Sequence, residues 1–266
     1  MRNKEEIIAE IDRSGSFSSD TNSRLLIEIT LDQRELIKRL QEALAPDLDT
    51  PITDGLIGNW KFEDNCDDSS GQGHDGSRIG GSFEEGKVGN CIYLDGSGYV
   101  NMGNPAGEKL DLGISNFSFS LWIAIPPIGI VVSTGLVGKR QKTSPYLGYS
   151  MGIHPDGHIW TQMGGSPGGV QLDSTRLIDN NQWHHIVWVV NRSNKSTIYI
   201  DNQKDGEVDA SPVKSISLNN SANFYVGRFY NEDPTANLIG YIDEVALYNR
   251  ILSETDIETI YQQGGG

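Results

Sequence analysis

The chain has 266 residues, with 36 Asp and Glu against 21 Lys and Arg, and 31 Gly against 10 Pro. A formal charge of −15 argues against nucleic acid and anionic membrane surfaces, whose phosphates select for Lys and Arg. It is compatible with bound divalent cations. No run approaches the roughly 18 apolar residues of a membrane span, and the stretch from Met1 to Ile8 has no apolar h-region of a secretory signal.

Residues 1–54 read as a small helical segment and linker. Ile7, Ile8 and Ile11 mark a short amphipathic helix. Between Arg24 and Leu44 a stripe of Leu26, Ile29, Leu36, Leu40 and Leu44 recurs at spacings that share one helix face. Thr30 with Gln33 makes a capping box, so two helices could meet there. Leu25–Ile29 is also short and apolar enough to be a strand. About fifty residues with one apolar stripe cannot build a core of their own. The stripe is expected to anchor the chain to sister copies, as a homo-oligomer, or to a larger assembly; packing on its own neighbouring domain is the alternative.

From Leu56 the pattern changes to period two. Phe117, Phe119, Leu121 and Ile123 alternate with Ser118, Ser120, Trp122 and Ala124, which predicts a strand with one buried and one partly covered face. Strands are also expected over 56–63, 90–94, 99–102, 131–138, 146–154, 158–163, 170–172, 184–191, 197–200, 224–227 and 240–248. Asp95-Gly96 and Asp156-Gly157 are hairpin signals, and Asp201-Asn202 resembles another. Such turn spacing predicts a β-sandwich over 55–266. The late strand Tyr241–Tyr248 is expected to pair with the early Leu56–Glu63, closing the sandwich. Ser253 with Asp256 starts a terminal helix with a capping box.

An acidic turn holds Glu63, Asp67, Asp68 and Ser70, oxygen donors of the kind a hard cation takes on a bent loop. Tyr146, Trp160 and Tyr230 border long loops, with Asp233 near the last. Aromatic rings beside polar groups suit the apolar faces and hydroxyls of sugars. Cys66 and Cys91 could form a disulfide or stay as two buried thiols. Catalysis finds no support. Asp205-Gly-Glu-Val-Asp209 alternates acids but reads as a solvated loop, Asp243 and Glu244 are adjacent and point apart, and no Gly-x-Ser-x-Gly elbow occurs.

Several of these stretches occur together in a known order. They are Asp67–Gly71, His74-Asp75-Gly76, Gly86–Gly96, Trp183-His184-His185, Ile198–Asp201 and Tyr241–Arg250. In this the chain resembles the laminin-G-like, concanavalin-A-like jelly-roll domains from about Leu56 to the end. The resemblance implies an all-β jelly-roll sandwich behind a helical N-terminal segment. It also implies that Trp183-His184-His185 is structural, with one His buried and hydrogen-bonded. Related domains often hold a structural Ca²⁺ between the first and last strands, which adds Asp243 to Glu63, Asp67 and Asp68. Such domains usually work outside cells. Without an export signal, the expectation is a non-catalytic binding or decoration protein of a phage virion, released by lysis, that displays a glycan- or cell-surface-binding jelly-roll. The competitors are a glycan-active enzyme of the same fold and a purely structural capsid component.

Overall fold

The computed structural model describes residues 33–36, 48, 50–104, 110–127, 132–166, 168–228 and 234–266. The chain divides into two compact units, Met1–Asp47 and Leu48–Gly266. In the first, residues 33–36 are helical and exposed, and Leu36 keeps 58% of its surface. Leu26, Ile29, Leu40 and Leu44 lie outside the described residues, as do Tyr230 and Asp233. The second unit begins N-terminal of the expected boundary at 54/55, and hydrogen bonds explain why. Gln263 donates to the carbonyls of Leu48 and Thr50, and Arg250 donates to that of Asp54.

Two antiparallel sheets form the second unit. In chain order the strands are β1 (Leu56–Trp60), β2 (Ser77–Ile79), β3 (Ser82–Glu85), β4 (Asn90–Asp95), β5 (Tyr99–Gly103), β6 (Phe117–Ala124), β7 (Thr134–Arg140) and β8 (Gly148–Ile153). There follow β9 (His158–Gly164), β10 (Val170–Leu177), β11 (Trp183–Val190), β12 (Lys195–Ile200), β13 (Gln203–Asp209), β14 (Phe224–Val226) and β15 (Ile239–Tyr248). The first sheet runs β13-β12-β11-β6-β15-β4-β3, with β1 also on β15; the second runs β10-β9-β8-β7-β14-β5-β2. The expected pairing of first and last strands is present, from Leu56 opposite Tyr248 to Trp60 opposite Val245.

The core between the sheets follows the period-two pattern. Phe119 stacks on Phe224 and on Trp188 with ring centroids 6.1 and 6.2 Å apart, and Trp60 stacks on Phe224 at 5.4 Å. All eight residues of β6 are buried. Its second face is covered because helix α1 (Glu254–Gln263) returns over it: Tyr261 stacks on Trp122 at 5.6 Å, and Ser118 Oγ donates to the Arg250 carbonyl and accepts the Leu252 N–H. Ser253 and Asp256 form the expected capping box at the start of α1. Val187, Val189, Ala246, Tyr248, Leu252 and Ile257 make a second small core under the helix, joined by Ile52 and Leu56.

Asp205–Asp209 corrects an expectation. It belongs to strand β13, not to a solvated loop. An edge strand with an exposed face needs no apolar alternation, so acidic residues can occupy it. The two thiols are free and buried. Burial pushes Cys66 up to about 11 and Cys91 up to about 12, so both stay protonated.

Candidate functional site

The expected aromatic platform is not brought together among the described residues. Tyr146 is exposed on the loop between β7 and β8. Trp160 sits on the outer face of the second sheet but is only 4% exposed. Its ring lies over Gly152, where even a Cβ would come within 2.3 Å of it. Gly148, which follows Tyr146 by two positions, pairs with Gly164. Trp160 lies four residues further along that strand, roughly 13 Å away at the usual rise. His154 stands 6.1 Å from Trp160, held by Ser133 Oγ at 2.8 Å and by Asp173 at 3.4 Å. In the middle of this face Gly138, Ser150 and Tyr225 are all buried. Trp160 therefore serves mainly as packing.

The expected metal set does not fit a cation either. Among the described residues no three Asp, Glu, His or Cys side chains are gathered to hold one. Glu63, Asp68 and Asp243 accept backbone amides instead. Asp68 accepts the N–H groups of Asn59, Ser70 and His74. Burial works against its charge, and these bonds with that of the Ser70 hydroxyl outweigh it, so its pKa is lowered. Glu63 accepts from Asn90 N–H at 2.9 Å. Asp243 Oδ2 accepts from Lys87 and Val88, and its Oδ1 from Glu244. Asp67 is exposed, its N–H given to Asn65 Oδ1. The carboxylates of Glu63, Asp68 and Asp243 clasp turns of the chain.

The histidines are structural, as the resemblance implies. His184 Nδ1 lies 2.8 Å from Asp201 Oδ2, which also takes Arg176. His185 Nε2 lies 2.8 Å from Ser120 Oγ, and burial holds its pKa down at about 3, so the ring stays neutral. Ser120 and His185 are both buried beneath α1. The acids of β13 are also engaged: Asp205 with Thr175 and Arg176 N–H, Glu207 with Lys204 and Lys195, Asp209 with Ser211.

An aromatic platform exists elsewhere, on the outer face of the first sheet. In β4, Ile92 and Leu94 point into the core and Tyr93 points out; in β15, Ile242 points in and Tyr241 out. Register aligns Ser82, Tyr93, Tyr241, Ala124 and Trp183 in one row across β3, β4, β15, β6 and β11. The three rings are half-buried. Tyr93 and Tyr241 lie 4.8 Å apart, and Trp183 and Tyr241 6.1 Å, because Ala124 between the last two leaves room for the rings to lean together. Helix α1 covers the sheet only as far as Trp122, where Lys87 places its ammonium 4.7 Å from the indole and donates to the Gly265 carbonyl. The row lies one step beyond. Burial pushes the Tyr241 hydroxyl up, and the Glu84 carboxylate adds to this, so it stays a donor at neutral pH. The period-two pattern marks each ring as outward-facing; only the pairing of strands far apart in the chain puts them in line.

Comparison with known proteins agrees with this architecture. The family profile described as the concanavalin A-like lectin/glucanases superfamily matches residues 94–258. The chain is 23% identical over 265 residues to botulinum neurotoxin type X of Clostridium botulinum, covering 98% of this chain and 20% of that protein. It thus spans about a fifth of that curated relative. Among solved structures, the binding domain of Paraclostridial Mosquitocidal Protein 1 matches with a TM-score of 0.61 at 19% identity, over 79% of this chain and 52% of that one. Domain 4 of AbnA, a GH43 extracellular arabinanase from Geobacillus stearothermophilus solved in complex with arabinotriose, matches at 0.59 and 21%, over 77% and 97%. The binding domain of botulinum neurotoxin serotype D/C matches at 0.63 and 16%, over 80% and 53%. At these identities the structural likeness is one of fold.

Proposed function

Because the chain belongs to the concanavalin A-like lectin/glucanase superfamily, we propose that its sandwich is a non-catalytic module that binds glycan on a cell or particle surface. The observation that carries this is the half-buried row Tyr93–Tyr241–Trp183. Rings held on strands are preorganised, so they bind at small entropic cost. The open side of the row offers apolar ring surface to a sugar, and its hydroxyl and indole N–H groups can take the sugar's oxygens. Binding domains of toxins, and an arabinanase domain that holds arabinotriose, share the fold and lend support.

A glycan array probed with the intact chain and with its Tyr93→Ala, Tyr241→Ala double variant tests the reading. Signal should appear for the intact chain and fall to background for the variant. An array blank for both, or equal for both, overturns it. A virion setting, with residues 1–54 as anchor, is a separate proposal: purified particles should carry the chain and lose it when the anchoring stripe is disrupted.

A further inference from the structure

We infer that a second site lies beside the C-terminal helix and takes a small organic cation: a protonated amine on an apolar body, its ammonium paired with Glu244. The site is a cleft of about 480 Å³, within the roughly 300–1,000 Å³ of small-molecule sites. Its floor is the outer face of β1, β15 and β6. Ile260 and Gln263 of α1 form one wall, and Leu48, Pro51 and Ile52 the other. The floor is low because small residues, Ala246 and Ser120, meet at its centre. None of the rings of the aromatic row lines it, so the inference does not rest on the glycan reading.

The cleft is charged at one end and apolar at the other. Along β1 and β15 it passes from Lys61 and Glu244, 4.0 Å apart, through Asn59 opposite Ala246, to Leu56 opposite Tyr248. Ile52 and Ile260 join the apolar end. A ligand that fills it therefore needs a polar head and a hydrophobic body.

Glu244 decides the charge of that head. Ile242, Val245 and Leu247 all reach the core, three and then two positions apart, so a bulge turns Glu244 out to the cleft beside Ala246. There it takes φ +47, a conformation that costs a non-glycine residue energy and clusters at binding sites. Yet its buried Oε1 has no hydrogen-bond partner among the described residues. Lys61 stands beyond hydrogen-bond reach, and nearly half of its side chain is exposed. Burial raises the Glu244 pKa, with Lys61 opposing and the Glu63 carboxylate adding. The strained residue thus holds a poorly solvated carboxylate oxygen toward the cleft and leaves it unsatisfied. A cationic donor is its strongest complement, whereas an anion would meet both Glu244 and Glu63.

The test is an NMR titration of the full chain with phenethylamine, phenethyl alcohol and hydrocinnamate, which share one apolar body and differ in head group. The Trp122 indole N–H and the Ala246 methyl, both at the cleft, report binding. Phenethylamine should bind at least about tenfold tighter than hydrocinnamate, the effect of one hydrogen bond to a charged group, and the alcohol should fall between. Glu244→Gln, which keeps the shape and removes the charge, should lose most of that preference. Glu244→Gly, which relieves the positive φ, should lose amine binding as well and yet melt as high as the parent or higher. The inference is overturned if hydrocinnamate binds as well as the amine, if phenethylamine moves neither reporter, or if Glu244→Gln binds the amine as the parent does. It also falls if Glu244→Gly melts several degrees lower, since the carboxylate would then serve the fold.

Discussion

The buried carboxylate of Asp243 accepts the backbone N–H of Val88 at 2.9 Å, across 155 positions of sequence. The same oxygen takes Lys87 N–H, so the turn between β3 and β4 is clasped to the last strand. A register shift follows Asp243, and Glu244 there has φ +47. A non-glycine residue in this region costs about 1–3 kcal/mol, and a bulge of this kind re-aims the neighbouring side chain.

The clasp should be visible in the pH dependence of stability. Burial raises Asp243 to about 7, with the nearby Glu244 carboxylate adding to it and the accepted amides opposing. A folded pKa above the unfolded one means the native state binds the extra proton, so this contribution is full below the unfolded value near 4 and is lost as pH rises through 7. Between pH 5 and 8 the loss is roughly 2–3 kcal/mol. In the Asp243→Asn variant, urea midpoints should lack this fall, although the variant is less stable at pH 5. Parallel curves for the two proteins would refute the assignment.

Calcium should not stabilise the sandwich. A cation at the Glu63–Asp68 turn would have to displace amide donors from Asp68 and Glu63, and each partly buried N–H left unpaired at Asp68 costs up to about 1–3 kcal/mol. Adding millimolar calcium to metal-stripped protein is expected to leave Tm unchanged. A rise that saturates with calcium, as mass action requires of a bound ligand, would show that the turn reorganises around the ion.

Much of the fold was legible because it rests on local signals. The alternation in β6, the hairpins at Asp156-Gly157 and Asp201-Asn202, and the Ser253–Asp256 box each depend on neighbours within a few residues. Asp95-Gly96, expected as a hairpin, instead carries the chain from β4 in the first sheet to β5 in the second, because a turn dipeptide does not say which strands become neighbours. Strands β2, β3 and β13 were not legible. Largely exposed at the sheet edges, they carry no apolar pattern to read. The site was the least legible part. Period two says that Trp160 and Tyr241 face outward, but not that Trp160 would be packed over Gly152 while Tyr241 stays half-open beside Tyr93. That difference is set by which strands become neighbours and by where α1 ends.

The boundary of the sandwich can be tested by shortening the chain. A chain starting at residue 48 should melt cooperatively with nearly the parent Tm. One starting at residue 55 should lose Ile52 from the second core and the carbonyls that hold Gln263 and Arg250. Partial burial of one isoleucine with its contacts is worth about 1–3 kcal/mol, which lowers Tm by several degrees in a domain of this size. Equal melting of the two would place the boundary at 54 after all.

The stripe of residues 1–54 carries the last prediction. Leu26, Ile29, Leu36, Leu40 and Leu44 share one helical face in the sequence pattern, and Leu36 is largely exposed. Burying five such side chains is worth about 1.5–3 kcal/mol each before entropy is subtracted. A lone helix of some twenty residues is marginal in water, so a partner surface, most simply a second copy of the chain, should supply the difference. Leu36→Asp with Leu40→Asp is expected to reduce the native mass to that of one chain. The sandwich has its own closed core, so its melt should barely move. If the double variant keeps the parent mass, or if the sandwich itself loses several degrees, the stripe packs within its own chain and the anchoring role falls.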